Sequence, residues 1–535
     1  MGIYLSPGVY SKETDLSDIV TSIATTTAGI VGYSAKGDTT QLRLITNKQQ
    51  FIQEYGEPNP STGYFHYSAL AYLENGSTLY CMRVVNGALY GGVAIKTDAS
   101  SQSNAAISTG ASTPDFIEVS GEDDLFNIFG KDPGVWNNNL GVRITNIDNT
   151  EYTFNIEVYY TDSDGISTNV ETWTVSRESK VDGYGRQLYL EDRINGFSDY
   201  IVVADNTTEA DTVMPKAQAT TLAFSQGSDG SAVTNANVIT GWGMFANPDD
   251  VDVRLLINAG YTDVTVQQEM KTIAEDRKDC FAILDMPSDQ LTSVAAMVTW
   301  RNSTQNFNSS YCGLYTAWVK IYDVYNDKMV AVPPSGYVAS QMAYSDYNAE
   351  VWYAPAGFKR GLVNVLSVTD GVDRLVFTKG ERDTLQQVQI NPIQVFSGDG
   401  IAIWGEYTEQ SKASALSLIN VRRSLIVLEK SIAASLRFFT FDPNNENTRL
   451  SITAMCETYL DNLSAKGAFQ LEAGDKGYKV VCDTTNNTPA TIDMNELHVD
   501  IFVKPVRSSL FIQLNTIITT SGASFNELIA RGVNL

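Results

Sequence analysis

Apolar and polar positions follow several different rhythms along this chain. Residues 1 to about 25 carry no core pattern: Ser6-Pro7-Gly8-Val9-Tyr10 reads as a turn into an extended run, and Lys12 through Asp18 is too polar to bury itself. Such a segment is expected to be an arm lying on a host surface. From Thr26 the pattern becomes globular, with an apolar strand Ala28 to Tyr33, an amphipathic segment around Phe51 to Tyr55 and a second strand Leu79 to Val85. Between residues 88 and 240 the rhythm shortens to alternating strands such as Tyr152 to Tyr160 and Thr168 to Ser176, separated by Gly, Asn, Asp and Ser. The α/β pattern resumes at Val251 to Ile257, so the stretch between is expected to be an inserted β-rich domain. A helix from about Thr265 to Asp276, a strand Cys280 to Leu284, a helix from about Asp289 to Asn302 and a strand Leu314 to Tyr322 continue the alternation.

Past Asn391 a further unit is expected: a strand Gly400 to Trp404, a long helix from about Thr408 to Arg437, and a second from about Thr448 to Ser464. The closing strands are Gly477 to Asp483, Glu496 to Lys504 and Leu510 to Ile518. In the second of these, period-two alternation puts Leu497, Val499, Ile501 and Val503 on one face. So small a sheet leaves edges unpaired, and unpaired edges accept a strand from another chain. The fold class is therefore mixed α/β and α+β, multidomain: an arm at 1–25, an α/β middle domain at 26–87 and 241–390, the insertion at 88–240, a C-terminal core domain at 391–505 and a C-terminal arm at 506–535.

Composition sharpens this picture. A length of 535 residues exceeds one compact domain, and 43% hydrophobic with 19% charged residues supports several cores. The net charge of −25 argues against a chain that grips nucleic acid, because phosphate binding needs a local excess of Lys and Arg. It also makes any basic patch conspicuous. Arg423, Lys430 and Arg437 recur every seven residues on the long helix, either as a solvated stripe that neutralises acidic neighbours or as a docking face for an acidic partner. The five cysteines are scattered and read as reduced core thiols. Neither a basic-then-apolar leader nor an apolar run of about eighteen residues occurs, so synthesis in the cytoplasm without membrane insertion is expected.

Catalytic patterns fail one by one. His66 and His498 are the only histidines, one in an aromatic run and the other among polar residues. Gly32-Tyr33-Ser34-Ala35-Lys36-Gly37 carries one residue too many for a nucleophile elbow, and no phosphate loop occurs. Asp162-Ser163-Asp164-Gly165 starts like a calcium loop, but its glycine comes too early and Trp173 stands where the bidentate Glu belongs. No catalytic, cofactor-binding or metal-binding residue is assigned.

A different signal lies in the order of several short segments. Pro7-Gly8-Val9-Tyr10, Ala28-Gly29-Ile30-Val31-Gly32, Pro333-Pro334-Ser335-Gly336-Tyr337 and Trp352-Tyr353-Ala354-Pro355 come first. Asn391-Pro392-Ile393, Gly400-Ile401-Ala402-Ile403-Trp404-Gly405, Asn420-Val421-Arg422-Arg423, Phe441-Asp442-Pro443-Asn444, Val481-Cys482-Asp483 and Asn486-Asn487-Thr488 follow. In that order the chain resembles the tail sheath proteins of contractile bacteriophages. The resemblance implies a tube-facing core made from the N- and C-terminal regions, an outward insertion, and copies that stack helically as six-fold rings on a tail tube protein. Baseplate and tail terminator proteins would bound the stack, the whole being assembled in the host cytoplasm as part of a virion. Contraction would drive the tube through the host envelope without nucleotide. In relatives both termini lend strands to neighbours, which assigns Val9, Tyr10, Ser11, Lys12, Glu13 and Thr14 to an N-terminal strand. Leu510, Phe511, Ile512, Gln513, Leu514, Asn515, Thr516, Ile517 and Ile518 become a C-terminal one, and Leu497, Val499, Ile501 and Val503 part of the receiving sheet. The tube contact falls either on Arg423, Lys430 and Arg437 or on Lys466, Lys476 and Lys479. Two other readings are the sheath of a phage-like bacteriocin or secretion system and, in another class, a carbohydrate-binding tail adhesin using residues 88–240.

Overall fold

A computed structural model describes residues 24–119, 123–472 and 474–513. Its largest element is an eight-stranded sheet in the order Gly400–Ile403, Ile390–Phe396, Cys312–Thr316, Phe281–Asp285, Leu255–Ile257, Thr27–Gly32, Thr78–Arg83, Arg43–Ile45. All inner pairings are parallel and both outermost pairings are antiparallel. Parallel strands are covered on both faces, which is why these segments are continuous apolar runs with every residue of Thr27–Gly32 buried. Helices Phe65–Tyr72 and Ser335–Asn348 cover one face, and Asn235–Gly243 and Val264–Arg277 the other. They press close: a Cβ on Gly29 would meet the Phe245 ring at 2.5 Å and one on Gly32 the Phe65 side chain at 2.6 Å, on opposite faces.

The structure revises three expected elements. The run Leu314 to Tyr322 is two strands, with Cys312–Thr316 in the large sheet and Trp318–Asp323 the centre of a separate three-stranded sheet. Beyond Ala317 one side of the run turns to solvent, ending at the half-exposed Tyr322. The strands Ile390–Phe396 and Gly400–Ile403 complete the large sheet and do not open a new unit. The long helix begins at Ile419, because Ser414 and Ser417 bond the neighbouring backbone and hold a short 3₁₀ turn at Ala415–Ser417.

Residues between Gly92 and Ala223 form two four-stranded sheets around a core of their own, with Phe126 stacked on Phe154 at 5.6 Å. The C-terminal unit contains helices α1 (Ile419–Leu436) and α2 (Glu446–Ala465) and a two-stranded sheet of β1 (Tyr478–Val481) and β2 (Asp500–Val503). All five cysteines are free and buried. His66 is buried beside the Tyr55 carbonyl at 3.2 Å, and burial pushes its pKa down to about 4, so it is a neutral core residue at pH 7. His498 is exposed, 3.0 Å from Glu496.

Candidate functional site

The surfaces that matter gather on the C-terminal unit. β1 and β2 pair antiparallel, from Tyr478 opposite Val503 to Val481 opposite Asp500. Leu497, Val499, Ile501 and Val503 pack against a small core that includes Ile452, Met455, Cys456 and Tyr459 of α2. The alternation leaves Lys479 and Phe502, opposite one another in register, facing out. Among the described residues, neither outer edge of this two-stranded sheet is paired with a third strand. Asn487 fixes the entry to β2: the His498 amide donates to its Oδ1 at 2.8 Å and its Nδ2 donates to the His498 carbonyl at 2.9 Å. A side-chain amide thus takes the place of a strand neighbour. Asn486 ties the far end of β1 by donating to the Val481 carbonyl at 2.8 Å. The sequence assigns Asn486 and Asn487 no role of their own; two asparagines between two strands are the signal it offers.

The basic stripe on α1 is not a free face. Arg423 is 4% exposed and donates to both carboxylate oxygens of Asp346, at 3.0 and 2.6 Å. Burial raises the Asp346 pKa against the opposing pull of Arg423. One turn-pair further on, Lys430 contacts Asp252 at 3.0 Å and also Asp279, which Arg277 grips with two hydrogen bonds. Arg437 reaches Asp249 at 3.3 Å, with both side chains 74% exposed. Each basic residue therefore meets an aspartate of the middle domain. The acidic partner of the stripe is the chain itself, and only Arg437 remains open to solvent. Lys466, Lys476 and Lys479 are exposed, the first two in ion pairs with Glu350 at 2.9 Å and Asp461 at 3.0 Å.

The two ends of α1 differ in shape. At its N-terminal end lies a cavity of about 640 Å³ lined by Trp352, Trp404, Glu406, Asn420 and the segment Val506 to Phe511. Glu406 is buried there, accepts from the Asn420 amide at 3.2 Å and from the Ser508 hydroxyl, and burial pushes its pKa up to about 7. Asn391 closes the loop behind it, accepting from the Tyr407 amide and donating to the Tyr407 carbonyl, both at 2.7 Å. At the C-terminal end of α1 the turn into α2 exposes Phe438 at 82% and all of Phe441, with Leu450 following at 60%. Phe441 sits at φ 78°, a left-handed conformation that costs a side-chain-bearing residue about 1–2 kcal/mol. The turn is nonetheless held in place, because Asn444 donates to the Glu496 carbonyl and accepts from Arg449, each at 2.8 Å.

Leu510, Phe511 and Ile512 are exposed and Gln513 ends the described chain, with no strand assigned to them. Val9 to Thr14 and Leu514 to Ile518 lie outside the described residues. Among the described residues no cluster of His, Cys, Asp and Glu could hold a metal, and no helix is long and apolar enough to cross a membrane.

This architecture is that of the sheath proteins of contractile machines. It superposes on a sheath tail protein from Listeria innocua with a TM-score of 0.60 at 12% identity, covering 90% of this chain and 92% of that one. The helical sheath of the anti-feeding prophage in its contracted state gives 0.54 at 16% identity, covering 96% and 99%. Sequence adds the family. Residues 231–408 match the phage tail sheath protein central domain and 411–519 the phage tail sheath C-terminal domain, together more than half the chain. The chain belongs to the phage tail sheath family. It is similar to the tail sheath protein of Enterobacteria phage T4, with 30% identity over 375 residues, which is 66% of this chain and 54% of that protein. The chain spans about half the length of the curated relatives it matches.

Proposed function

We propose that this chain is the structural subunit of a contractile tail sheath, which polymerises as stacked rings around an inner tail tube and shortens to drive that tube through a host envelope. The observation that supports this most is the open two-stranded sheet of the C-terminal unit in a chain of the phage tail sheath family. The terminal segments, Val9 to Thr14 and Leu510 to Ile518, would complete that sheet in neighbouring copies. Main-chain hydrogen bonds to extended arms persist while rigid domains swing to new contacts, so the lattice rearranges without falling apart. The free energy for contraction is held in a kinetically trapped extended lattice, and no catalytic step, nucleotide or metal enters the scheme.

The tube contact in this reading falls on the exposed residues Lys466, Lys476, Lys479 and Arg437, since Arg423 is buried and Lys430 half-buried in their pairs within the subunit. The tube, a baseplate and a terminator are its partners, and a phage virion is its place of work. Negative-stain electron microscopy of the purified full chain tests the proposal: striated hollow cylinders are expected, and a persistently monomeric protein under every assembly condition contradicts it.

A further inference from the structure

The two ends of α1 are complementary to each other, and no single copy brings them together. The cavity at the N-terminal end and the aromatic turn at the C-terminal end are separated by 18 helical residues, a rise of about 27 Å. We infer that the Phe438–Phe441 turn of one copy seats in the Trp352–Trp404 cavity of the next, a head-to-tail contact separate from any exchange of terminal strands. This inference rests on the sheath reading and names a second contact within it.

Four observations carry it. The cavity, at about 640 Å³, is large enough for aromatic side chains and falls within the usual range of occupied pockets, about 300–1,000 Å³. Two buried polar atoms of the residues lining it, the Trp352 indole Nε1 and the Asn420 Oδ1, have no hydrogen-bond partner among the described residues. Both lie beneath the cavity wall and out of reach of solvent, so pairing them takes a small shift of that wall as the partner arrives. The turn, for its part, exposes two phenylalanines, one in a disfavoured backbone conformation held rigidly by Asn444, which is costly unless the rings are buried somewhere. Charge agrees as well: Asp442 and Glu446 flank the turn, while Arg360, Lys379, Arg382 and Arg507 stand at the cavity against two carboxyl groups, Asp383 and the buried Glu406.

The occupant is a second copy because a convex patch and a concave socket on one chain cannot satisfy each other internally. Repeated between copies, such a heterologous contact generates a closed ring or an open helix, whereas a self-complementary patch would stop at a dimer. That is the geometry a sheath lattice requires.

Cysteine pairing tests the contact in the intact chain. The native cysteines are all buried, whereas Phe441 and Lys379 are both exposed, so a Phe441→Cys, Lys379→Cys variant places new thiols on the two sides of the contact. Oxidised as assembled cylinders with copper phenanthroline, it should give a ladder of covalent multimers on a non-reducing gel, and neither single variant should. A Phe438→Ser, Phe441→Ser variant should raise the concentration needed for assembly by about tenfold or more, with the thermal unfolding of the subunit unchanged. Ordered cylinders without a ladder would overturn this contact and leave the sheath reading standing. Failure of the unaltered chain to form cylinders would overturn both.

Discussion

The insertion and the C-terminal unit are built on opposite principles. In the insertion, Gly92 to Ala223, the two sheets close on a shared core, and the charges inside it are matched internally: Lys96 meets Asp124 at 2.6 Å, and Arg177 meets Asp205 at 2.7 Å while also donating to the Ala210 and Asn206 carbonyls. The C-terminal unit has a smaller core, a sheet of two strands with open edges, and a turn that presents phenylalanines to solvent. Its basic stripe is spent on holding it to the middle domain. The first region is closed as a single copy; the second leaves the open edges and exposed rings that the proposed lattice would cover. Burial grades the charge pairs in both regions: Arg177–Asp205 and Arg423–Asp346 are matched inside the protein and costly to disturb, whereas Arg437–Asp249 is paired in water and is not.

That contrast orders the effects of substitution. Arg177→Ala strips a buried carboxylate of its cation and should destabilise the insertion by about 3–5 kcal/mol, read as an early phase in urea unfolding. Glu406→Gln acts through pH. The Glu406 pKa is raised by burial to about 7, so its contribution to stability is present below the ordinary glutamate range and is lost as pH rises through 7. Removing the group should flatten that slope by on the order of 3 kcal/mol between pH 4.5 and 8, measured as unfolding midpoints of the two proteins across that range. Asn487→Ala leaves the His498 amide without its acceptor and the His498 carbonyl with only Asn486 Nδ2 at 3.2 Å, and should cost about 1–3 kcal/mol, seen as faster amide exchange along Tyr478–Val481 and Asp500–Val503. Arg437→Ala, at the exposed end of the stripe, should change stability by no more than about 0.5 kcal/mol in the same unfolding assay. A large loss there would break the comparison, because it would make an exposed pair behave like a buried one.

Much of this contrast could be read from the sequence, and its limits have physical causes. The alternation of Leu497, Val499, Ile501 and Val503 appears in the structure as one packed face, because period two is enough to sort a strand that has water on its other side. The insertion's strands near Tyr152 to Tyr160 and Thr168 to Ser176 were visible for the same reason. The fate of Arg423 was not, because its partner Asp346 lies 77 residues upstream and a spacing of seven shows which residues share a helix face without showing what that face meets. Nor could the pattern distinguish Phe438 and Phe441 from core residues, since hydrophobicity marks a side chain that wants burial and is silent on whether its own chain supplies it. The cavity at Asn420 was equally hidden, being assembled from segments between residues 352 and 511 that only the fold brings together.

The claim on which the rest depends is that the C-terminal sheet is finished by strands from adjacent molecules. Electron microscopy of a chain lacking its first 20 and last 25 residues, compared with the intact chain at equal concentration, addresses it most directly. The account predicts folded subunits, with a helix and strand content by far-ultraviolet circular dichroism equal to that of the intact chain's folded domains, that build no cylinders. Cylinders of the same diameter and striation from the shortened chain would contradict it.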